Sequence, residues 1–418
     1  MKSIKLLKSI LIPALGITSI GIIPVVSTSC GEVHVSSVSL DKTSTTIGIG
    51  DAKTLSATIL PENATDKTVI WSSDNESVAT VDANGTITAV AEGTATITVT
   101  TNDGDKAVTC KVNVIDLSRY IGITANADST LTLDNSGDNN PNLQYLTDGK
   151  SWSAYSTTIE INQGETLYLK GNNPNGWSTS NSIYSHLSIK GNVSVSGNVM
   201  ALLDNGATLG EIGDITDIPC DYCFYDLFRN STGITSVSED FLPATSLAEN
   251  CYSYMFYGCS SLTAAPELSA TTLADSCYEG MFQNCLSLTA APELSAKSLT
   301  KKCYTGMFIG CTSLTTAPEL PATTLAESCY ACMFMNCTSL TVAPNLISKN
   351  LVNECYNFIF FYCTSLATIK ISYTGEYNDE YFNSWVNNVA ESGIFYYNGD
   401  QTAQDFGLPS GWVKKILI

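Results

Sequence analysis

Residues 303–328 read CYTGMFIGCTSLTTAPELPATTLAES, and nearly the same sentence recurs through the second half of the chain. The pair Cys-Tyr stands at 251, 277, 303, 329 and 355, a spacing of 26 residues, and a second cysteine follows at 259, 285, 311, 337 and 363. Phe256, Phe282, Phe308, Phe334 and Phe360 form another column, and so do Leu262, Leu288, Leu314, Leu340 and Leu366. An imperfect copy, two residues longer, begins at Cys223 with Phe228, Ile234 and Leu247. A period of this length belongs to a solenoid, in which one coil cannot bury its apolar face and neighbours cover one another. Leu299, Cys303, Met307 and Cys311 lie four apart, which predicts one stripe of a helix. Pro318 and the threonines around it predict a short extended segment. The expectation is one helix and one short strand per coil, with the irregular first copy as a cap.

From about Cys223 to Ile371 the pattern resembles the BspA-like leucine-rich repeats of bacterial surface proteins, whose units carry an aromatic before a Gly/Asn-Cys and a following Leu-Pro segment. Met-Phe stands where that family usually has Ala-Phe. The tail YFNSWVNNVAESGIFYYNG, followed by GLPSGW, resembles the segment that closes related solenoids. It is expected to be an Asn-rich helix ending near Gly393, with a hydrophobic finish at Trp412 and Ile416.

Fifteen cysteines in an exported chain raise the question of disulfides. If Cys303 and Cys311 share a helix, eight residues separate them by about 12 Å, whereas a bridge needs Cα atoms within about 7 Å. Helices of adjacent coils sit roughly 8–10 Å apart. The expectation is a ladder of reduced thiols filling a tight core. Cys220-Asp-Tyr-Cys223 and Cys329-Tyr-Ala-Cys332 have redox or zinc spacing, but no histidine is near either in sequence and neither is read as a chemical site.

The first thirty residues, MKSIKLLKSILIPALGITSIGIIPVVSTSC, have three lysines, an apolar run, small residues and then Cys30. That order is a secretion signal, and Pro13, Gly16 and Pro24 argue against a stable spanning helix. Ser27-Thr28-Ser29-Cys30 resembles a lipoprotein box, with Ser27 where Leu is usual. The resemblance implies lipid attachment at Cys30 and anchorage to the outer face of the bacterial membrane, with ordinary secretion as the alternative.

Residues 31–36 are expected to be a tether. Beyond them, TVIWSSDNESVATVDANGTITAVAEGTATITVT alternates with period two, and Asn84-Gly85 is a hairpin signal. Regular strands and turns predict a β-sandwich. The run resembles the bacterial immunoglobulin-like domain of group 2, which implies seven strands and a spacer or adhesion role in surface proteins, with Trp71 as core packing. Residues 117–218 read as short strands joined by polar turns, and PNLQYLTDGKSWSAYSTTIEINQGETLYLKGNN resembles a module that precedes leucine-rich repeats in surface proteins of gut bacteria. Trp152, Tyr155, Tyr168 and Trp177 are the aromatics there that could stack on a sugar.

Acidic residues outnumber basic ones 40 to 20, for a net charge of −20, which disfavours nucleic acid as a partner. The chain has two histidines, His34 and His186, and no G-x-S-x-G, Walker loop or H-E-x-x-H. No enzyme activity, cofactor or metal is therefore expected. Column positions barely change between copies, while Glu267, Glu293, Glu319 and Asn345 recur on the strand side. Strands stack at about 4.8 Å, so these carboxylates would form a ladder of like charges that a cation or basic ligand relieves.

The sequence thus predicts a multidomain chain. Residues 1–30 are a lipoprotein signal, 35–115 an all-β immunoglobulin-like sandwich, and 117–218 a second all-β module with the solenoid's N-terminal cap. Residues 219–371 are an α/β leucine-rich-repeat solenoid, and 372–418 a C-terminal cap. The expected job is adhesion to proteins or glycans of host or neighbouring cells through the solenoid face, with Glu267, Glu293, Glu319 and Asn345 as its candidate contacts. The alternative is carbohydrate binding through residues 117–218.

Overall fold

The computed structural model describes residues 31–147, 151–203, 216–398 and 406–417. Cys30 lies outside them. Two separate hydrophobic cores organise these residues, one between Ile47 and Val114 and one running from Tyr120 to Trp412.

The first core is enclosed by nine short strands. These are Ser37–Leu40 (β1), Ser44–Gly48 (β2), Ala52–Thr54 (β3), Ala57–Leu60 (β4), Val69–Ser73 (β5), Ala79–Val81 (β6), Thr86–Ala89 (β7), Gly93–Thr101 (β8) and Ala107–Ile115 (β9). They form sheets of order β2-β9-β8-β5, β3-β7-β6 and β1-β4, nine strands against the seven that the resemblance implies. Alternation decides which side chains face inward: Ala95, Ile97 and Val99 of β8 meet Cys110, Val112 and Val114 of β9. Asn84-Gly85 makes the predicted turn between β6 and β7. Gly85 has φ +81, and a Cβ there would lie 2.6 Å from the Trp71 ring, so the turn needs glycine for its backbone and for its closeness to Trp71. Trp71 is half-buried against this core, as expected.

The expected tether is shorter than residues 31–36. Val33 donates its N–H to Thr65 Oγ1 at 2.9 Å, and its carbonyl accepts from the Thr65 N–H at 2.9 Å. His34 Nδ1 lies 2.9 Å from Asp103 Oδ1, and the hydrogen bond to Asp103 raises the His34 pKa above its ordinary value. The chain is therefore fastened to the sandwich from Val33 onward.

The second core begins with Ile121–Ser136 (β10), Leu143–Leu146 (β11), Ser153–Ala154 (β12), Ile159–Ile161 (β13), Thr166–Gly171 (β14) and Tyr184–Ser196 (β15). β10 and β15 pair antiparallel along most of their length. β15 then pairs parallel with Ile234–Val237 (β16), a strand of the first repeat, so the module's sheet continues into the solenoid. The module is not a separate body: its core residues and those of the repeats form one cluster.

The repeats of residues 219–371 stack in register, but they contain no α-helix. Among the described residues, α-helix is confined to Asp379–Phe382 (α1), and the expectation of one helix per coil is corrected. Each coil instead carries a ribbon of tight turns. One residue in four is left-handed: Asn250 (φ 54), Tyr254 (φ 55) and Gly258 (φ 71) in one coil, Ser276, Gly280 and Asn284 in the next, Lys302, Gly306 and Gly310 in the one after. The backbone amides alternate. Those of Cys251, Ser253, Met255, Tyr257 and Cys259 donate three residues back, closing turns. Those of Asn250, Tyr252, Tyr254, Phe256 and Gly258 donate to Asp275, Cys277, Glu279, Met281 and Gln283 of the next coil at 2.8–3.0 Å. An α-helix satisfies every amide within itself and has no left-handed residues. This ribbon leaves every second amide for a neighbour, and its side-chain period is 4 rather than 3.6. That is why buried residues come in adjacent pairs: Cys251 and Tyr252, Met255 and Phe256, then Cys259.

The pairs stack into columns. Tyr252, Tyr278, Tyr304, Tyr330 and Tyr356 follow one another at 5.8–6.1 Å between ring centroids. Phe228, Phe256, Phe282, Phe308, Phe334 and Phe360 do so at 5.6–5.9 Å. Such aromatic contacts contribute about 0.5–1.5 kcal/mol each beyond the area they bury. The second cysteine of each coil has a defined role: its thiol donates to the phenylalanine carbonyl of the coil before. Cys259 reaches Phe228 O at 3.2 Å, Cys311 reaches Phe282 O at 3.1 Å, and Cys363 reaches Phe334 O at 3.0 Å. The fourteen cysteines of the described residues are all free thiols, most of them fully buried. Burial raises the pKa values of the fully buried thiols, to about 12 at Cys251.

The repeat also runs past Ile371. Glu354, Tyr356, Phe358, Phe360 and Tyr362 donate to the carbonyls of Glu380, Tyr381, Asn383, Trp385 and Asn387. Ser384 and Asn388 are left-handed, so beyond the single turn of α1 the expected Asn-rich helix is a further turn ribbon, with Phe382, Trp385, Val386 and Val389 buried in the columns. On the opposite wall, Val342–Leu346 (β17), Thr368–Ile371 (β18), Ser392–Tyr397 (β19) and Gly411–Ile416 (β20) form a parallel sheet in that order.

Candidate binding face on the strand wall

Four successive coils cross the strand wall as an extended segment pinned by a buried proline, Pro266, Pro292, Pro318 and Pro344. In the third copy Leu288, Pro292, Leu294 and Ala296 face inward, so Glu293 and Ser295 face out. Isolated parallel bridges join Ala264 to Ala290 and Ala290 to Thr316, which sets the coils in register at 26 residues. Glu267, Glu293 and Glu319 are accordingly exposed at equivalent points of three successive coils. Asn345 continues the column on β17 and is half-buried.

The column has a further member that the sequence reading missed. Glu239 belongs to the first, longer copy, 28 residues before Glu267, and its carbonyl accepts the Glu267 N–H at 3.1 Å. The two-residue insertion hid it from a strict 26-residue search. Glu239, Glu267 and Glu293 border one shallow groove of about 340 Å³, floored by Pro266 and Pro292 and edged by Ser269 and Ser295.

Register carries the column on from Asn345 to Lys370 on β18, then Tyr396 on β19 and Lys415 on β20. The wall therefore changes sign along the solenoid, from carboxylates in the first coils to amines in the last. Lys370 Nζ lies 5.6 Å from the Tyr396 ring centre.

The opposite, turn-bearing wall carries positions that vary between copies, and it covers several of them: Ser253 and Ala331 are buried, and Gly280 and Gly306 are covered by neighbours. Tyr184, Tyr222, Tyr225, Tyr254 and Tyr257 cluster there edge to face at 5.6–6.2 Å. Beneath them lies Asp226, 1% exposed, with Arg229 Nη1 at 2.9 Å from Oδ1. Burial outweighs that ion pair and lifts the Asp226 carboxyl to about 6.

The module's aromatics do not form one platform. Trp177 is fully buried, its Nε1 donating to Ser185 O at 2.8 Å. Tyr155 takes the Leu133 N–H on its hydroxyl at 2.8 Å. Trp152 lies edge-on to Tyr120 at 4.8 Å, with Lys170 Nζ 4.6 Å from its ring centre. No group of three or more metal-ligating side chains occurs among the described residues.

Residues 34–112 match the bacterial Ig-like domain (group 2). An uncharacterized protein of Clostridium acetobutylicum is 53% identical over 79 residues, 19% of this chain and 20% of that protein. The Ig-like virion protein of Serratia phage KSP90 is 43% identical over 83 residues, 20% of this chain and 32% of that protein. The kappa-carrageenase of Pseudoalteromonas carrageenovora is 47% identical over 74 residues, 18% of this chain and 19% of that enzyme. The chain thus spans less than a third of the length of each of these relatives. An Ig-like domain of this kind fits an extracellular or surface protein. Among the described residues, no helix is long and apolar enough to cross a membrane.

Proposed function

We propose that the chain is a cell-surface binding protein. It is lipidated at Cys30, spaced from the membrane by its Ig-like domain, and binds basic segments of proteins on host or neighbouring cells through the strand wall. On this reading it is a non-enzymatic lipoprotein of the BspA-like kind. The observation that carries the reading is the exposed carboxylate column Glu239, Glu267, Glu293 and Glu319. Like charges on successive coils repel one another, and a cationic ligand along the groove would relieve that repulsion. The Ig-like domain supports a surface location, as its occurrence in a virion protein does. The test is to change Glu267, Glu293 and Glu319 to Gln together and measure binding of the full chain to host-cell monolayers and to beads coated with a cationic peptide. Both should fall at least tenfold, and more steeply at low salt. Unaltered binding would remove the proposal. Binding lost only on disrupting residues 117–218 would favour a carbohydrate site in the module.

A further inference from the structure

Two C-x-x-C pairs stand in the repeats, and the fold treats them differently. In every regular coil, the residue three places before the first cysteine and that cysteine are the two ends of one tight turn. The Cys251 N–H donates to Ala248 O at 3.4 Å, Cys277 to Ala274 at 3.3 Å, Cys303 to Thr300 at 3.4 Å, Cys329 to Ala326 at 3.2 Å and Cys355 to Val352 at 3.2 Å. The residue before each cysteine is left-handed, and in the first coil that residue is Tyr222, φ 57. Cys223 is therefore the first coil's column cysteine, and Cys220 stands three places before it as Ala248 does before Cys251, here without the closing N–H bond of the regular coils. The ends of a tight turn lie within about 7 Å, the span a disulfide bridges. The side chains sit close together: a Cβ on Gly176 would lie 2.7 Å from Cys220 Sγ and 3.4 Å from Cys223 Cα, so that sulfur and that Cα are about 6 Å apart at most, and Cys220 Sγ donates to Asn175 O at 3.1 Å.

Cys329 and Cys332 have the same spacing but another phase. Cys329 points into the core, while Cys332 is itself left-handed on the outer wall, and its N–H runs to Asn357 O of the next coil at 2.8 Å. No sulfur contact acts on Cys332, whose pKa is raised by burial alone.

We propose that Cys220 and Cys223 are a redox-active dithiol that closes to a disulfide by exchange with a low-molecular-weight disulfide, stapling the chain before the first coil onto the solenoid. Cys220 is the attacking group because it is half-buried rather than fully buried, and the neighbouring Cys223 lowers its pKa. Its thiolate attacks one sulfur of the reagent and expels the other as a thiolate. Cys223, deprotonated, then attacks the Cys220 sulfur of the mixed disulfide and releases the second half of the reagent. Two electrons pass to the reagent, and the two protons of the pair end on its two released thiols.

The test uses the purified full chain and oxidised glutathione, with alkylation in denaturant and peptide mapping afterwards. Cleavage at Lys190 and Arg229 releases one peptide whose cysteines are Cys220 and Cys223. That peptide should lose two hydrogens and escape alkylation, at least tenfold faster in the native chain than in the urea-unfolded one. Cys220→Ala, which installs the residue other coils carry, should fold and abolish the loss. Ala274→Cys should create a second closing pair with Cys277. Full alkylation after native oxidation, a mixed disulfide that persists on Cys220, or equal native and unfolded rates would overturn the proposal. None of these readouts depends on the strand wall binding anything.

Discussion

Replacing Gly306 by alanine separates a turn ribbon from a helix by the sign of one number. In a helix interior, alanine for glycine stabilises by about 1 kcal/mol. In the ribbon Gly306 has φ +62, and forcing an L-residue into that region costs roughly 1–2 kcal/mol. The new Cβ would lie 2.9 Å from Ile309 Cδ1, the far end of a flexible side chain, so steric conflict adds little. Gly306→Ala should therefore destabilise by about 1–2 kcal/mol, a 5- to 30-fold loss in the folded-to-unfolded ratio. Gly280→Ala should cost more, because its Cβ would fall 2.3 Å from Tyr254 Cε1, on a ring packed against Tyr225 and Tyr257. Cys332→Gly, at the equivalent point one coil on from Gly306, should run the other way. It relieves a left-handed cysteine at φ 57 and gives up a half-buried thiol, for a net gain of about 1 kcal/mol or less. The assay is urea denaturation of the full chain and its variants. A Gly306→Ala midpoint above that of the parent chain would refute the ribbon and restore a helix.

Two further outcomes follow from the core. Phe308→Ala empties the middle of the phenylalanine column, where rings lie 5.8 and 5.7 Å to either side, and should cost about 3–5 kcal/mol in the same assay; a loss below about 1 kcal/mol would mean the column does not bear on stability. The folded Asp226 carboxyl, at about 6, sits above the unfolded value near 3.9, so the folded state holds its proton more tightly. The stabilisation this brings is complete below about pH 4 and lost as pH rises through about 6. Asp226→Asn should flatten that decline, and an unchanged slope between pH 4 and 7 would show that Asp226 is not its source.

The columns were legible because identity repeats at fixed distance: Cys251, Tyr252, Phe256, Cys259 and Leu262 face inward as their recurrence implied. The ribbon was misread because four residues is close to a helical turn, and Leu299, Cys303, Met307 and Cys311 satisfy both patterns. The discriminating signal was present elsewhere. Gly280, Gly306 and Gly310, with Asn250, Asn284 and Asn336, stand every fourth residue inside the supposed helices, where glycine is costly, and they mark left-handed positions. Tyr254, Lys302 and Phe358 hid the rule, since bulky residues at positive φ are uncommon and nothing local announces them. The glutamate column was read directly, apart from Glu239 behind its two-residue insertion. The closing coil was missed because Tyr381 and Val389 stand where the cysteines do in earlier copies, so the letters change while the phase holds. The strand wall's change of sign toward Lys370 and Lys415 appears only once register is known.

The same hydrogen-bond pattern explains why this solenoid has the neighbours it has. A helix is saturated along its own axis, so a helical repeat can end on any polar surface. The ribbon is not: half its amides point to the following coil and half its carbonyls to the preceding one, and an unpaired backbone group in a buried wall is costly. Both ends must therefore be covered by backbone. At the start, β15 and the loop before it supply it: Leu187 N–H donates to Leu227 O at 2.7 Å, and Trp177 and Ser178 both donate to Cys223 O at 2.8 and 3.2 Å. At the finish, the degenerate coil from Glu380 to Asn387 accepts the last five amides, with Trp385 Nε1 bonded to Phe406 O at 2.8 Å. The all-β module is thus a structural requirement of the repeats as much as a neighbour of them. Its loop at Asn175–Ser178 holds the carbonyl of Cys223 and the sulfur of Cys220 together, so the proposed dithiol lies where the stack of coils begins.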